Sequence, residues 1–150
     1  MENESTVKLI SLDTIPVQEV EWLVYPFIPC GKITIIQGDP GEGKTTFILQ
    51  LIARLTTGRP AWDGMSPMTP GNVIYQTAED GLSDTIKPRL VAAGAACDKV
   101  LVIDDSDRAL TLEDDRLGQA IVQTHARLVV LDPIQGYIGA GVDMHRANEI

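Results

Sequence analysis

Apolar positions along the chain fall into short clusters with two different periods, parted by glycine, proline and charged turns. Ile33-Thr34-Ile35-Ile36-Gln37 is a β-branched run and predicts a buried strand. After a glycine-rich turn, Phe47, Ile48, Leu51, Ile52 and Leu55 recur at helical spacing, and Gly58 is placed to close that helix. Residues 58–71 hold Pro60, Pro67 and Pro70 and predict a loop. Val73-Ile74-Tyr75-Gln76 predicts a second strand. A helical segment follows from about Leu82 to Ala93, stopped by Gly94, with Pro88 forcing a kink or a fresh start. Val100-Leu101-Val102-Ile103 predicts a third strand. Thr111 reads as a helix N-cap with Asp114 completing a short capping box, and Leu128-Val129-Val130-Leu131 predicts a fourth strand ended by Asp132-Pro133.

Strands thus alternate with helices, and most strands are apolar on both faces. The expected fold class is α/β, a mostly parallel sheet with helices on both faces. Residues 1–30, with Pro16, Pro26 and Pro29, read as an N-terminal arm and extended segment, and residues 31–150 as the regular core. In such sheets ligands bind at the carboxyl ends of the strands.

Composition narrows the class. Of 150 residues, 44% are hydrophobic and 22% charged, the mix of a globular chain. Lys and Arg number 12 against 21 Asp and Glu, a formal charge of -9, which argues against a broadly basic nucleic-acid-coating surface. No apolar run approaches the roughly 20 residues of a membrane span, and the start Met1-Glu2-Asn3-Glu4 is unlike a secretory signal. Cys30 and Cys97 have no metal-type spacing and read as free thiols in a reducing cytoplasm, so the expected location is cytoplasmic.

The chemistry sits in the turn after the first predicted strand. Gly38-Asp39-Pro40-Gly41-Glu42-Gly43-Lys44-Thr45 fits G-x-x-x-x-G-K-[ST] at every fixed position, with a strand pattern before and a helix pattern after. Glycines let the backbone wind closely around phosphates with its N–H groups inward, and the helix adds its positive end. Residues 38–46, through Thr46, are the expected nucleotide-binding set, with ATP and Mg²⁺ as the cofactors. The Lys44 ammonium would reach the β- and γ-phosphates, and the Thr45 hydroxyl would ligate Mg²⁺. Asp132, ending an apolar strand, is the second expected metal-side carboxylate. No acid follows Asp132, since Pro133 does, so the water-activating base is sought elsewhere. Glu79 in Thr77-Ala78-Glu79-Asp80-Gly81 lies just past the second strand, on the same rim, and is the expected base. Asp80 is expected to cap the following helix. His125 reads as a structural residue at a helix end, and Asp104-Asp105-Ser106-Asp107 as a solvated acidic turn.

Taken together, residues 31–46, Tyr75-Gln76-Thr77-Ala78-Glu79-Asp80-Gly81, Pro88-Arg89-Leu90 and Val129-Val130-Leu131-Asp132-Pro133, with Asp143 and Ala147-Asn148-Glu149, resemble the RecA-like AAA family ATPases. Within them the chain is most similar to the plasmid RepA-type hexameric replicative helicases and related phage or mobile-element proteins. The resemblance implies a P-loop NTPase core, ATP hydrolysis at the interfaces of a ring, commonly a hexamer, and single-stranded DNA held by channel loops. It implies water activation by Glu79 and the Walker B role for Asp132. It places Gly136–Gly141 and Arg146 toward a channel or neighbouring subunit. It also implies a sensor strand and an arginine finger beyond Ile150, so the chain is expected to be a C-terminally truncated core with weak or absent ATPase activity in isolation. Two other functions fit a P-loop: a nucleotide-dependent assembly or regulatory module without helicase activity, and a small-molecule kinase.

Overall fold

The computed structural model describes residues 7–139. The chain divides into two compact units between Ile33 and Thr34. In the first, β1 (Trp22–Val24) and β2 (Ile28–Pro29) form an antiparallel hairpin. Its turn contains a cis Tyr25–Pro26 peptide, and the Trp22 and Tyr25 rings meet edge to face at 5.3 Å.

The second unit carries the regular elements. Helix α1 (Lys44–Thr57) begins at Gly43 and is closed by Gly58 in the left-handed conformation, as the glycine spacing predicts. It buries Leu49, Leu51, Ile52, Ala53, Leu55 and Thr56 along one face. Strand β3 (Val73–Thr77) is the central strand, and Val73, Ile74, Tyr75 and Gln76 are all buried. The chain then makes one wide turn over Leu82–Ile86 and restarts as α2 (Lys87–Ala92), with Pro88 in its first turn. The missing N–H of a proline costs nothing there, so Pro88 acts as a start rather than a break. Strand β4 (Val100–Leu101), helix α3 (Asp115–Thr124) and strand β5 (Leu128–Asp132) complete the unit. The sheet order is β4-β3-β5, and both pairings are parallel. This is the α/β architecture expected of a RecA-like P-loop NTPase.

Several local expectations change. The run 33–37 carries no assigned strand, and Ile33 and Ile35 are 84% and 69% exposed. Branched side chains favour extended backbone, but a strand also needs a ladder partner, and among the described residues β5 pairs with β3 alone. The third strand is two residues long in the ladder. Beyond it, the buried Gln76 side chain takes over: its amide oxygen accepts from the Ile103 N–H at 2.7 Å, and its amide nitrogen donates to the Ile103 carbonyl at 3.3 Å. The N-cap of α3 is Asp114, not Thr111. Its carboxylate accepts from the Arg116 N–H at 2.9 Å and from the Arg116 guanidinium at 2.7 Å. Hydrogen bonding by the Arg116 side chain holds the Asp114 carboxyl well below the usual carboxylate range. Asp80 does not cap the next turn. Gly81 occupies that position, and the Asp80 N–H is bonded instead to Thr77 Oγ1 at 3.0 Å. His125 ends α3 as its C-cap in the left-handed conformation, at φ 52. The acidic turn is closed by Asp104, which accepts from the Ser106 N–H and hydroxyl.

Candidate nucleotide site

The glycine-rich turn enters α1 through two left-handed glycines, Gly41 and Gly43, both at φ 84. A side chain at either would be strained; Gly43 is a fixed position of the motif and Gly41 one of its variable positions. The loop satisfies its own polar groups. The Lys44 ammonium donates to the Gly38 and Asp39 carbonyls at 2.7 and 2.8 Å, and the Glu42 carboxylate accepts from the Asp39 N–H at 2.8 Å. Glu42 thus places an anion on a loop N–H.

Thr45, in the first turn of α1, reaches across to β5. Its hydroxyl donates to Asp132 Oδ2 at 2.9 Å, joining positions 87 residues apart. Asp132 arrives there because β5 runs parallel to β3 in the register Tyr75↔Val130 and Thr77↔Asp132. The Ala78 N–H continues that ladder by donating to the Asp132 carbonyl at 3.1 Å. Glu79, the next residue, is exposed at the carboxyl end of β3. The segment is held closely: a Cβ on Gly136 would come within 2.5 Å of the Ala78 methyl. The turn 134–137 after Asp132 therefore lies tight against the residue before Glu79. Thr45 and Asp132 are thus joined at the carboxyl end of the sheet, with Lys44 next to Thr45 in the chain and Glu79 just past the end of β3. Of the loop segment 136–141, residues 140 and 141 lie outside the described residues, as do Asp143, Arg146 and Ala147-Asn148-Glu149.

Two partners of the site, Arg89 and Tyr75, lie in segments that carry the family resemblance, but the sequence gives neither a role at the site. Arg89 of α2 donates to Thr46 Oγ1 at 2.6 Å and, with Gly41, Gly43, Lys44, Thr45 and Thr46, lines a cleft of about 240 Å³. The cleft therefore has two cations, Lys44 and Arg89. Tyr75 is buried, and its hydroxyl donates to Asp132 Oδ2 at 3.1 Å. Burial first, and then the Asp132 charge, push the Tyr75 hydroxyl above the usual phenol range. Tyr137, also buried, is raised by burial and by the charges of Asp105 and Asp132 to about 12. Both phenols stay protonated at neutral pH.

Among the described residues, no helix is long and apolar enough to cross a membrane, and no cluster of three or more His, Cys, Asp or Glu is placed to hold a metal. The chain is 30% identical over 105 residues to the DNA repair protein RadA of Halalkalibacterium halodurans, an alignment covering 70% of this chain and 19% of that protein. The chain thus spans about a fifth of that relative's length. No solved structure matches the chain. The AAA domain family matches residues 2–150, and with a complete G-x-x-x-x-G-K-T turn joined to a strand-end aspartate, the chain belongs to that family.

Proposed function

We propose that the chain is the nucleotide-binding part of a RecA-like ATPase that binds ATP with Mg²⁺ and hydrolyses it. The observation that carries the reading is the Thr45–Asp132 hydrogen bond at 2.9 Å. It joins the hydroxyl and the carboxylate that a P-loop site devotes to its metal. Both are hard oxygen donors and fit Mg²⁺, which takes few protein ligands and fills its shell with water and phosphate oxygens. When bound, the cation would neutralise charge developing on the phosphates.

The chain's own groups supply the rest. The N–H groups around Gly41 and Gly43, with the start of α1, receive phosphate oxygens. Lys44 exchanges its loop carbonyls for phosphate, a stronger, charge-assisted contact. Arg89 lies in the same cleft as a second phosphate partner. Glu79 on the rim accepts a proton from the attacking water and orients it. Glu79→Gln removes that basicity at nearly constant shape. Turnover by the full-length protein should fall by a factor of about 10²–10⁴ while ATP still binds. Equilibrium binding of a fluorescent ATP analogue beside phosphate release measures both, and wild-type turnover in the variant would remove the assignment.

The finer reading is a DNA-dependent motor, a helicase or helicase-like protein of a phage, plasmid or mobile element, working as a hexameric ring on single-stranded DNA. The resemblance of the Ala78-Glu79-Asp80 and Leu131-Asp132-Pro133 segments to that group supports it, as does similarity to a protein named for DNA repair. Phosphate release by the protein with and without single-stranded DNA tests this part separately. No stimulation would leave an ATPase that is not a DNA motor.

A further inference from the structure

Strand β3 brings one more group to the site. Tyr75 is 0% exposed, so its ring is packed on every side. A phenylalanine would fill that space as well, which makes the hydroxyl the informative atom. A buried hydroxyl needs a partner, and this one has Asp132 Oδ2 at 3.1 Å. The same oxygen accepts the Thr45 hydroxyl at 2.9 Å. The geometry follows from the register: Tyr75 stands opposite Val130, so Asp132, two residues on, is its diagonal neighbour on the same face. Oδ2 is thereby held by two hydroxyls, while no hydrogen bond reaches Oδ1 among the described residues.

We propose that Tyr75 is a positioning residue for the magnesium site. It fixes the orientation of the Asp132 carboxylate, so that Oδ1 stays turned away from the protein's own donors and Thr45 stays docked on Oδ2. Without the phenol, the carboxylate rests on Thr45 alone, and it is free to rotate whenever the Thr45 oxygen engages a cation. The inference rests on the metal-side reading of Thr45 and Asp132 given above. It differs from a packing role because it acts on the metal and not on the nucleotide. Groups that hold a metal ligand in place typically change metal affinity by 10–100-fold when removed.

The test is Tyr75→Phe in the whole chain, with a fluorescent ADP analogue. Two quantities are read: nucleotide affinity in EDTA, and the Mg²⁺ concentration at half-saturation with nucleotide fixed. The expected result is an EDTA affinity within about twofold of wild type and a Mg²⁺ half-saturation raised about tenfold. An unchanged Mg²⁺ half-saturation, or an equal loss of affinity in EDTA, overturns the proposal. A wild-type protein that binds nucleotide with no Mg²⁺ dependence removes the reading of Thr45 and Asp132 itself, and the Tyr75 inference with it. If Tyr75→Phe fails to fold, the wild-type chain labelled with ¹³Cζ-tyrosine serves. The resonance left unassigned by Tyr25→Phe and Tyr137→Phe should move when Mg²⁺ is added to the nucleotide-bound protein. A resonance that moves with nucleotide but not with Mg²⁺ counts against the proposal.

Discussion

Arg89 and Lys44 are both cations lining one cleft, yet they reach it by different routes. Lys44 is fixed by a local loop whose glycines dictate its path, and the spacing of Gly38, Gly43 and Thr45 makes it readable from the chain alone. Arg89 reaches Thr46 from 43 residues away, through the packing of α2 beside α1. Pro88-Arg89-Leu90 contributes to the family resemblance, but nothing local ties Arg89 to Thr46, because that role lies in a tertiary contact. Tyr75 is hidden for the same reason: an aromatic residue in a buried strand reads as core until the strand beside it is known. If Arg89 serves the phosphates, Arg89→Ala should weaken ATP binding about tenfold, the worth of one charge-assisted hydrogen bond of about 1.5 kcal/mol. Adenosine, which has no phosphate, should be unaffected by the change. Fluorescence competition with ATP and adenosine measures both, and a parallel loss for the two ligands would assign Arg89 to packing instead.

Elements were legible where the signal was local. The bounds of α1 follow from Gly43 and Gly58, and the restart at Pro88 follows from the ring's fixed φ and missing donor. They were less legible where a partner decides. The β-branched run 33–37 has the right side chains and no ladder, whereas β4 is short because its role passes to a side chain. Gln76 pairs both backbone groups of Ile103 as a neighbouring strand would. An amide in a run of apolar strand residues looks like a polar interruption, but here it extends the sheet edge. Gln76→Leu keeps the volume and leaves the Ile103 N–H and C=O without that partner. The expected cost is about 1–3 kcal/mol in urea unfolding at unchanged m-value. Hydrogen exchange at the Ile103 amide should speed up while that at Tyr75 keeps its relative protection. Equal acceleration at both would point to general loosening of the sheet.

At the scale of the molecule, the two phenols near Asp132 tie stability to alkaline pH. Both hydroxyls are raised above the ordinary phenol value of 10, Tyr137 to about 12. In the unfolded chain they lose their protons near pH 10, whereas in the folded protein they keep them. Above pH 10 the unfolded state therefore binds fewer protons than the native state. Stability is fully present below pH 10 and falls as pH rises toward 12, by at most about 1.4 kcal/mol per unit for each group. Lysines also lose charge in this range, and a chain already at -9 gains further repulsion, so the wild-type slope alone does not isolate the phenols. Tyr137→Phe does, because it keeps the ring and removes the titrating group. The variant should sit within about 1 kcal/mol of wild type at pH 8. It should then lose less stability than wild type between pH 10 and 12 in guanidinium titrations. Parallel pH profiles for the two proteins would show that the Tyr137 hydroxyl ionises in the folded state as it does in the unfolded chain, so that neither its burial nor the nearby charges of Asp105 and Asp132 raise it.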